Sequence, residues 1–183
     1  SINERGAQPT ALSMFTSTQF PYATSAERDP ASRKTDGLFD NARARATQPK
    51  VMFTNTAVEY WGGGRAAALI HTTPDGKRDL TLPPNVRAYF LTGTQHGPAP
   101  FPVPAGGLGQ QPANPLEYWW TMRALLVGMT DWVVKGVAPP PSQVPRIADG
   151  TLVPLGKLVF PKLPGVQNPA LVPGPRHDGR DLP

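Results

Sequence analysis

The chain has 183 residues, enough for one domain with a packed core and too few to expect two. With 24 prolines, 18 glycines and 17% charged residues, it is rich in loops and extended segments, because proline fixes φ and lacks a backbone donor. Its formal charge of +5 is scattered rather than clustered among aromatics, which argues against nucleic acid, and the absence of cysteine excludes disulfides and thiolate metal sites.

In chain order, residues 1–35 read as a polar loop or lid region, punctuated by Pro21 and Pro30. The first residues, Ser1-Ile2-Asn3-Glu4-Arg5, carry no initiator methionine and no signal pattern, so they read as a point inside a longer chain, left by truncation or proteolysis. A short helix is predicted over 36–46, with Asp36 as its cap and Arg43 and Arg45 near its end, where they suit the helix dipole. Pro49 closes it, and the apolar run 50–56 predicts a buried strand.

Gly62, Gly63 and Gly64 then mark a flexible connection, and 66–72 is ambiguous between helix and strand. Pro74-Asp75-Gly76-Lys77 is a turn signal, and Pro84 and Gly93 bound a second strand over 85–92. A surface loop over 97–113 leads to the clearest element, an amphipathic helix of about five to six turns. Asn114 is its expected N-cap, with Pro115 at its first position. Apolar side chains recur at Leu116, Trp119, Trp120, Leu125, Leu126, Met129, Trp132 and Val133, before Gly136 and Pro139 stop it. Beyond lie proline-rich residues with a hairpin signal at Asp149-Gly150 and a tail, 169–183, expected to be extended or disordered. No apolar run approaches the roughly 18 residues of a membrane span, so no membrane partner is expected.

The chemistry-bearing residues follow the two strands. Glu59, in Val58-Glu59-Tyr60-Trp61, sits three residues past the first, and Gly93-Thr94-Gln95-His96-Gly97 follows the second. A carboxylate after one strand and an imidazole after the next suit acid–base work on a nucleophile. The carboxylate holds the ring's tautomer and stabilises its charged form, while the ring takes the nucleophile's proton.

Between 50 and 97 the sequence resembles α/β-hydrolase domain proteins that carry an extended proline-rich C-terminal region. The resemblance lies in Thr54-Asn55 with Glu59-Tyr60-Trp61, in Leu69-Ile70-His71-Thr72, in Asp75-Gly76, in Pro83-Pro84-Asn85-Val86-Arg87 and in Gly93-Thr94-Gln95-His96-Gly97. Asn114-Pro115 through Trp132-Val133, Pro139-Pro140-Pro141-Ser142 and 148–154 are similar to that family too. It implies an α/β fold, the last strands of a mostly parallel sheet with the C-terminal helix. It also implies a carboxylic ester hydrolase with His96 as base and Glu59 as acid. On that reading 1–35 is the lid region, 36–136 the C-terminal half of the core, and 137–183 the proline-rich extension. No G-x-S-x-G occurs in the chain, although the family order is serine, acid, histidine. The serine is therefore expected on the N-terminal part of the same protein, with a small-molecule or polymeric ester as substrate.

Rival assignments are weaker. Asp75 is explained by turn chemistry, and Asp79 has no strand directly before it. His71 is expected to make a structural hydrogen bond, and His177 to lie exposed in the tail. The three glycines lack the lysine and serine or threonine of a phosphate loop, and the three histidines lack zinc spacing, so no cofactor or metal is expected. Tyr60 and Trp61 read as core, and Trp119, Trp120 and Trp132 as helix packing. Ser1 as an N-terminal nucleophile has no supporting feature. The alternative to the hydrolase is a non-catalytic proline-rich binding or structural module using the surface around Trp61 and Trp119. Compartment stays open between exported and cytoplasmic.

Overall fold

A computed structural model describes residues 20–30, 32–40, 46–61, 67–106, 112–165, 176–177 and 180–181. Expectations for Ser1, for the lid before residue 20, for the three glycines and for the side chains of Trp61 and His177 lie outside them. The described architecture is a parallel two-stranded sheet with helices, a partial α/β fold.

Two short strands come first, β1 (Glu27–Arg28) and β2 (Thr35–Asp36), paired antiparallel. This corrects the start of the helix predicted over 36–46, whose last residue, Ala46, is helical. Asp36 ends a strand, and its Oδ1 accepts the N–H of Gly37 instead of opening a helix. A Cβ at Gly37 would lie 2.6 Å from the backbone carbon of Ser25, so the turn closes too tightly for any other side chain. Residues 41–45 of that predicted helix lie outside the described part.

The sheet that matters is formed by β3 (Val51–Thr56) and β4 (Val86–Leu91), in register from Val51 opposite Val86 to Thr56 opposite Leu91. Both are parallel, so residues 57–85 must cross over between them. They do so through α1 (Ala57–Trp61), a 3-10 turn (Ala67–Ile70) and the predicted turn at Pro74–Lys77. That turn is a hairpin: Thr72 bridges Asp79 antiparallel, and Gly76 takes φ +65°. Of the ambiguous stretch 66–72, residues 67–70 form the 3-10 turn, with local backbone bonds such as His71 N–H to Ala68 O at 3.0 Å, and Thr72 forms the bridge to Asp79.

β4 is the buried strand, with Val86 and Ala88 each 1% exposed. Burying a valine side chain in this way is worth about 1.5–3 kcal/mol. Its outer edge is covered by residues 140–143. The Ala88 N–H donates to Ser142 Oγ, Gln143 N–H donates to Ala88 O, and Phe90 N–H donates to Gln143 O. β3 differs. Val51 donates towards β4, so the backbone groups of Met52 and Thr54 face the other way, where no strand pairs with them among the described residues.

The long helix, α2 (Trp119–Lys135), stops at Gly136 in the left-handed conformation, as expected. It starts later than predicted. Asn114 spends its side chain on its own turn and on Gly93 O, accepting the Leu116 N–H and donating at 2.6 Å, and Tyr118 becomes the N-cap position without a capping side chain. Trp132 is its buried residue, seated under Arg87 (5.0 Å) and Lys50 (5.6 Å), with the Lys50 ammonium donating to its carbonyl. A cation at a helix C-terminus is favourable. Trp119, Trp120, Leu126, Val127, Val133 and Val134 are exposed, so of the three tryptophans expected in helix packing only Trp132 is buried.

At Asp149-Gly150 the expected hairpin is a turn closed by Leu152 N–H to Arg146 O, with no flanking strands among the described residues. In the tail, β5 (Arg176–His177) pairs antiparallel with β6 (Arg180–Asp181), a short ribbon where extended or disordered chain was expected.

Candidate active site

Parallel pairing ends β3 and β4 at the same edge of the sheet, so the segments that follow them begin side by side. The chain leaves β3 directly into α1, which puts Glu59 on a helix rather than in the expected loop. After β4, Gly93 at φ +74° reverses the chain, a conformation in which a residue bearing Cβ is strained. The two segments are joined by the Ala57 N–H, which donates to Thr94 O at 3.2 Å.

Glu59 and His96 meet: His96 Nδ1 is 2.6 Å from Glu59 Oε1. The other carboxylate oxygen, Oε2, accepts from the Thr56 N–H at 3.1 Å and from the Thr56 hydroxyl. Burial by itself raises the Glu59 pKa, but the hydrogen bonds from Thr56 and His96 outweigh it and bring it down to about 2. Glu59 is thus ionised at neutral pH, and Nδ1 of His96 is the nitrogen that carries the proton. The Glu59 side chain is 23% exposed and that of His96 is 73% exposed, so the imidazole stands open to whatever occupies that face.

The histidine loop is held from outside. Tyr118, just before α2, donates its hydroxyl to His96 O at 2.5 Å, and Gln95 Nε2 donates to the carbonyls of Gly97 and Asn114.

Residues 10–169 match the family described as an alpha/beta hydrolase domain. The chain belongs to this family. The α/β-hydrolase fold accounts for the parallel pair. No curated protein and no solved structure matches the chain.

The rival carboxylates are occupied elsewhere. Asp75 accepts from Thr73 Oγ1 and the Lys77 N–H within its turn, and Asp79 accepts from the N–H groups of Ile147 and Ala148, both at 2.9 Å. His71 makes the expected structural bond, with Nε2 2.7 Å from the Tyr60 hydroxyl. It is 3% exposed and Tyr60 2%, and Tyr60 stacks on Phe90 at 4.2 Å. Burial lowers the His71 pKa and raises that of Tyr60, so a neutral imidazole accepts from a protonated phenol. Among the described residues no cluster of His, Asp or Glu is arranged to hold a metal ion, and no helix is long and apolar enough to cross a membrane.

Two residues of the site escaped the sequence reading. Thr56 had a signal: Thr56-Ala57-Val58-Glu59 has the spacing of a capping box at a helix start. Tyr118 had none, because its bond to His96 O depends on where α2 begins.

Proposed function

We propose that this chain supplies the catalytic acid and the general base of a serine-type carboxylic ester hydrolase. The observation that carries the reading is the 2.6 Å contact between His96 Nδ1 and an ionised Glu59. With Nδ1 engaged, Nε2 is the ring nitrogen left to face the reaction. It takes the proton of a serine hydroxyl as that oxygen attacks the ester carbonyl, and Glu59 stabilises the imidazolium that results. The protonated ring then gives its proton to the departing alkoxide, leaving an acyl-serine. A water molecule, deprotonated by the same nitrogen, releases the acid and restores the serine.

The nucleophile is proposed to reside on an N-terminal part of the same protein. Two observations support this: no G-x-S-x-G lies in the 183 residues, and the Met52–Thr54 edge of β3 has no strand beside it among the described residues. A sheet edge beside which no strand runs is a template for a further strand. The same 2.6 Å contact weighs against a purely non-catalytic proline-rich module, which has no use for an exposed histidine held by a carboxylate.

The test is His96→Ala in the intact protein, assayed with p-nitrophenyl acetate. Loss of about three orders of magnitude or more in kcat is expected, on the scale of removing a triad base. Activity within a few-fold of wild type overturns the assignment.

A further inference from the structure

We propose that Thr56 is a positioning residue for the reaction, fixing Glu59 so that one carboxylate oxygen is committed to Thr56 and the other is presented to His96. The inference rests on the Glu59–His96 reading above and adds the residue that makes the geometry single-valued. Thr56 is the last residue of β3 and directly precedes α1, so its backbone is held on one side by the sheet and on the other by the helix start. It is 6% exposed. Both its N–H and its hydroxyl donate to Oε2, while Oε1 faces Nδ1 of His96.

Without such a clamp, a glutamate with three side-chain torsions samples several rotamers, and its carboxylate exchanges its two oxygens. Two donors converging on one oxygen remove that freedom. They also favour the ionised form, which a group stabilising an imidazolium must keep. His96 faces Glu59 from the loop after β4, whereas Tyr60 and His71 face each other.

Substitution by valine keeps the shape of threonine and deletes the hydroxyl donor; serine keeps the donor. In the intact protein, with p-nitrophenyl acetate, Thr56→Val is expected to lower kcat about ten- to a hundredfold with KM within about twofold, because geometry rather than substrate binding is lost. The Glu59 titration midpoint, followed by carboxyl carbon NMR, moves upward in Thr56→Val, and Thr56→Ser restores both kcat and midpoint. A purely structural threonine leaves kcat of the folded variant where it was, although the loss of its hydroxyl still moves the midpoint.

If Thr56→Val does not fold, Thr56→Ser against Thr56→Ala gives the same comparison. Loss of activity in His96→Ala together with wild-type kcat in Thr56→Val overturns the proposal alone. Full activity in His96→Ala overturns the reading on which it rests as well. A serine variant as slow as the valine one also overturns it, since the hydroxyl is then not what matters.

Discussion

Two histidines of this chain are each bonded to a residue of the same short helix, and the two residues are neighbours in sequence. Glu59 reaches His96 at the open face, and Tyr60 reaches His71 in the interior. Successive side chains on a helix diverge by about 100°, so adjacent positions on α1 serve different sides of it. The outer pair joins an ionised carboxylate to an exposed imidazole, an arrangement suited to receiving and returning protons. The inner pair joins a neutral imidazole to a protonated phenol at 2–3% exposure, where moving a proton would strand a charge in the core. Partner and burial, and not the histidine itself, separate the exposed candidate pair from the buried structural one.

The sharpest way to break this contrast, after His96→Ala, is Glu59→Gln. It leaves size and packing in place but removes the charge that stabilises the imidazolium, and a loss of about 10²- to 10⁴-fold in kcat is expected. Asp75→Asn serves as the control and leaves the rate within a few-fold; the opposite ranking of the two variants shows that the acid has been misassigned. Tyr60→Phe should act on the inner pair alone. It strips His71 of a buried partner and costs about 1–3 kcal/mol in urea unfolding, with kcat within a few-fold of wild type. A rate loss comparable to that of Glu59→Gln would mean that the two pairs are not separate.

The smallest effects concern pH. His71 is lowered from its ordinary 6.5, so the unfolded chain binds that proton more readily, and stability falls as pH drops below 6.5. Glu59 is lowered from 4.5 to about 2, so its contribution is present above 4.5 and is lost as pH falls towards 2. Urea midpoints are therefore expected to decline from about pH 8 to about pH 5 through His71, and further by about pH 3 through Glu59. A flat profile across the first interval refutes a buried neutral His71.

Much of the site was legible in the sequence because it depends on local order. An apolar run before Glu59, another before His96 and glycines flanking the second loop mark two strand ends, and strand ends are where the fold places chemistry. Gly136 as the stop of α2 was equally readable, since the left-handed conformation at a helix end favours glycine. The start of α2 was misread because Asn114-Pro115 carries the signature of a helix cap. In the folded chain Asn114 instead donates to Gly93 O, a group 21 residues away. Asp36 was misread for a related reason: a capping residue type is also a turn residue type, and the pairing of Thr35 with Arg28 decided between them. The apolar stripe expected of α2 is covered only in part: Trp132 is buried beneath Arg87 and Lys50, while Leu116, Trp119, Trp120, Leu126 and Val133 are exposed.

The sequence by itself determined the α/β character of the chain, the acid and the base as candidates, and the absence of a nucleophile elbow within these residues, because each is written in residue type and spacing. The tertiary structure decided that the strands run parallel in one register, that Glu59 and not Asp75 or Asp79 meets His96, and that Thr56 and Tyr118 hold the pair. Those outcomes rest on hydrogen bonds between groups far apart in the chain, such as Ala57 to Thr94 and Tyr118 to His96, and only folding brings such groups within reach.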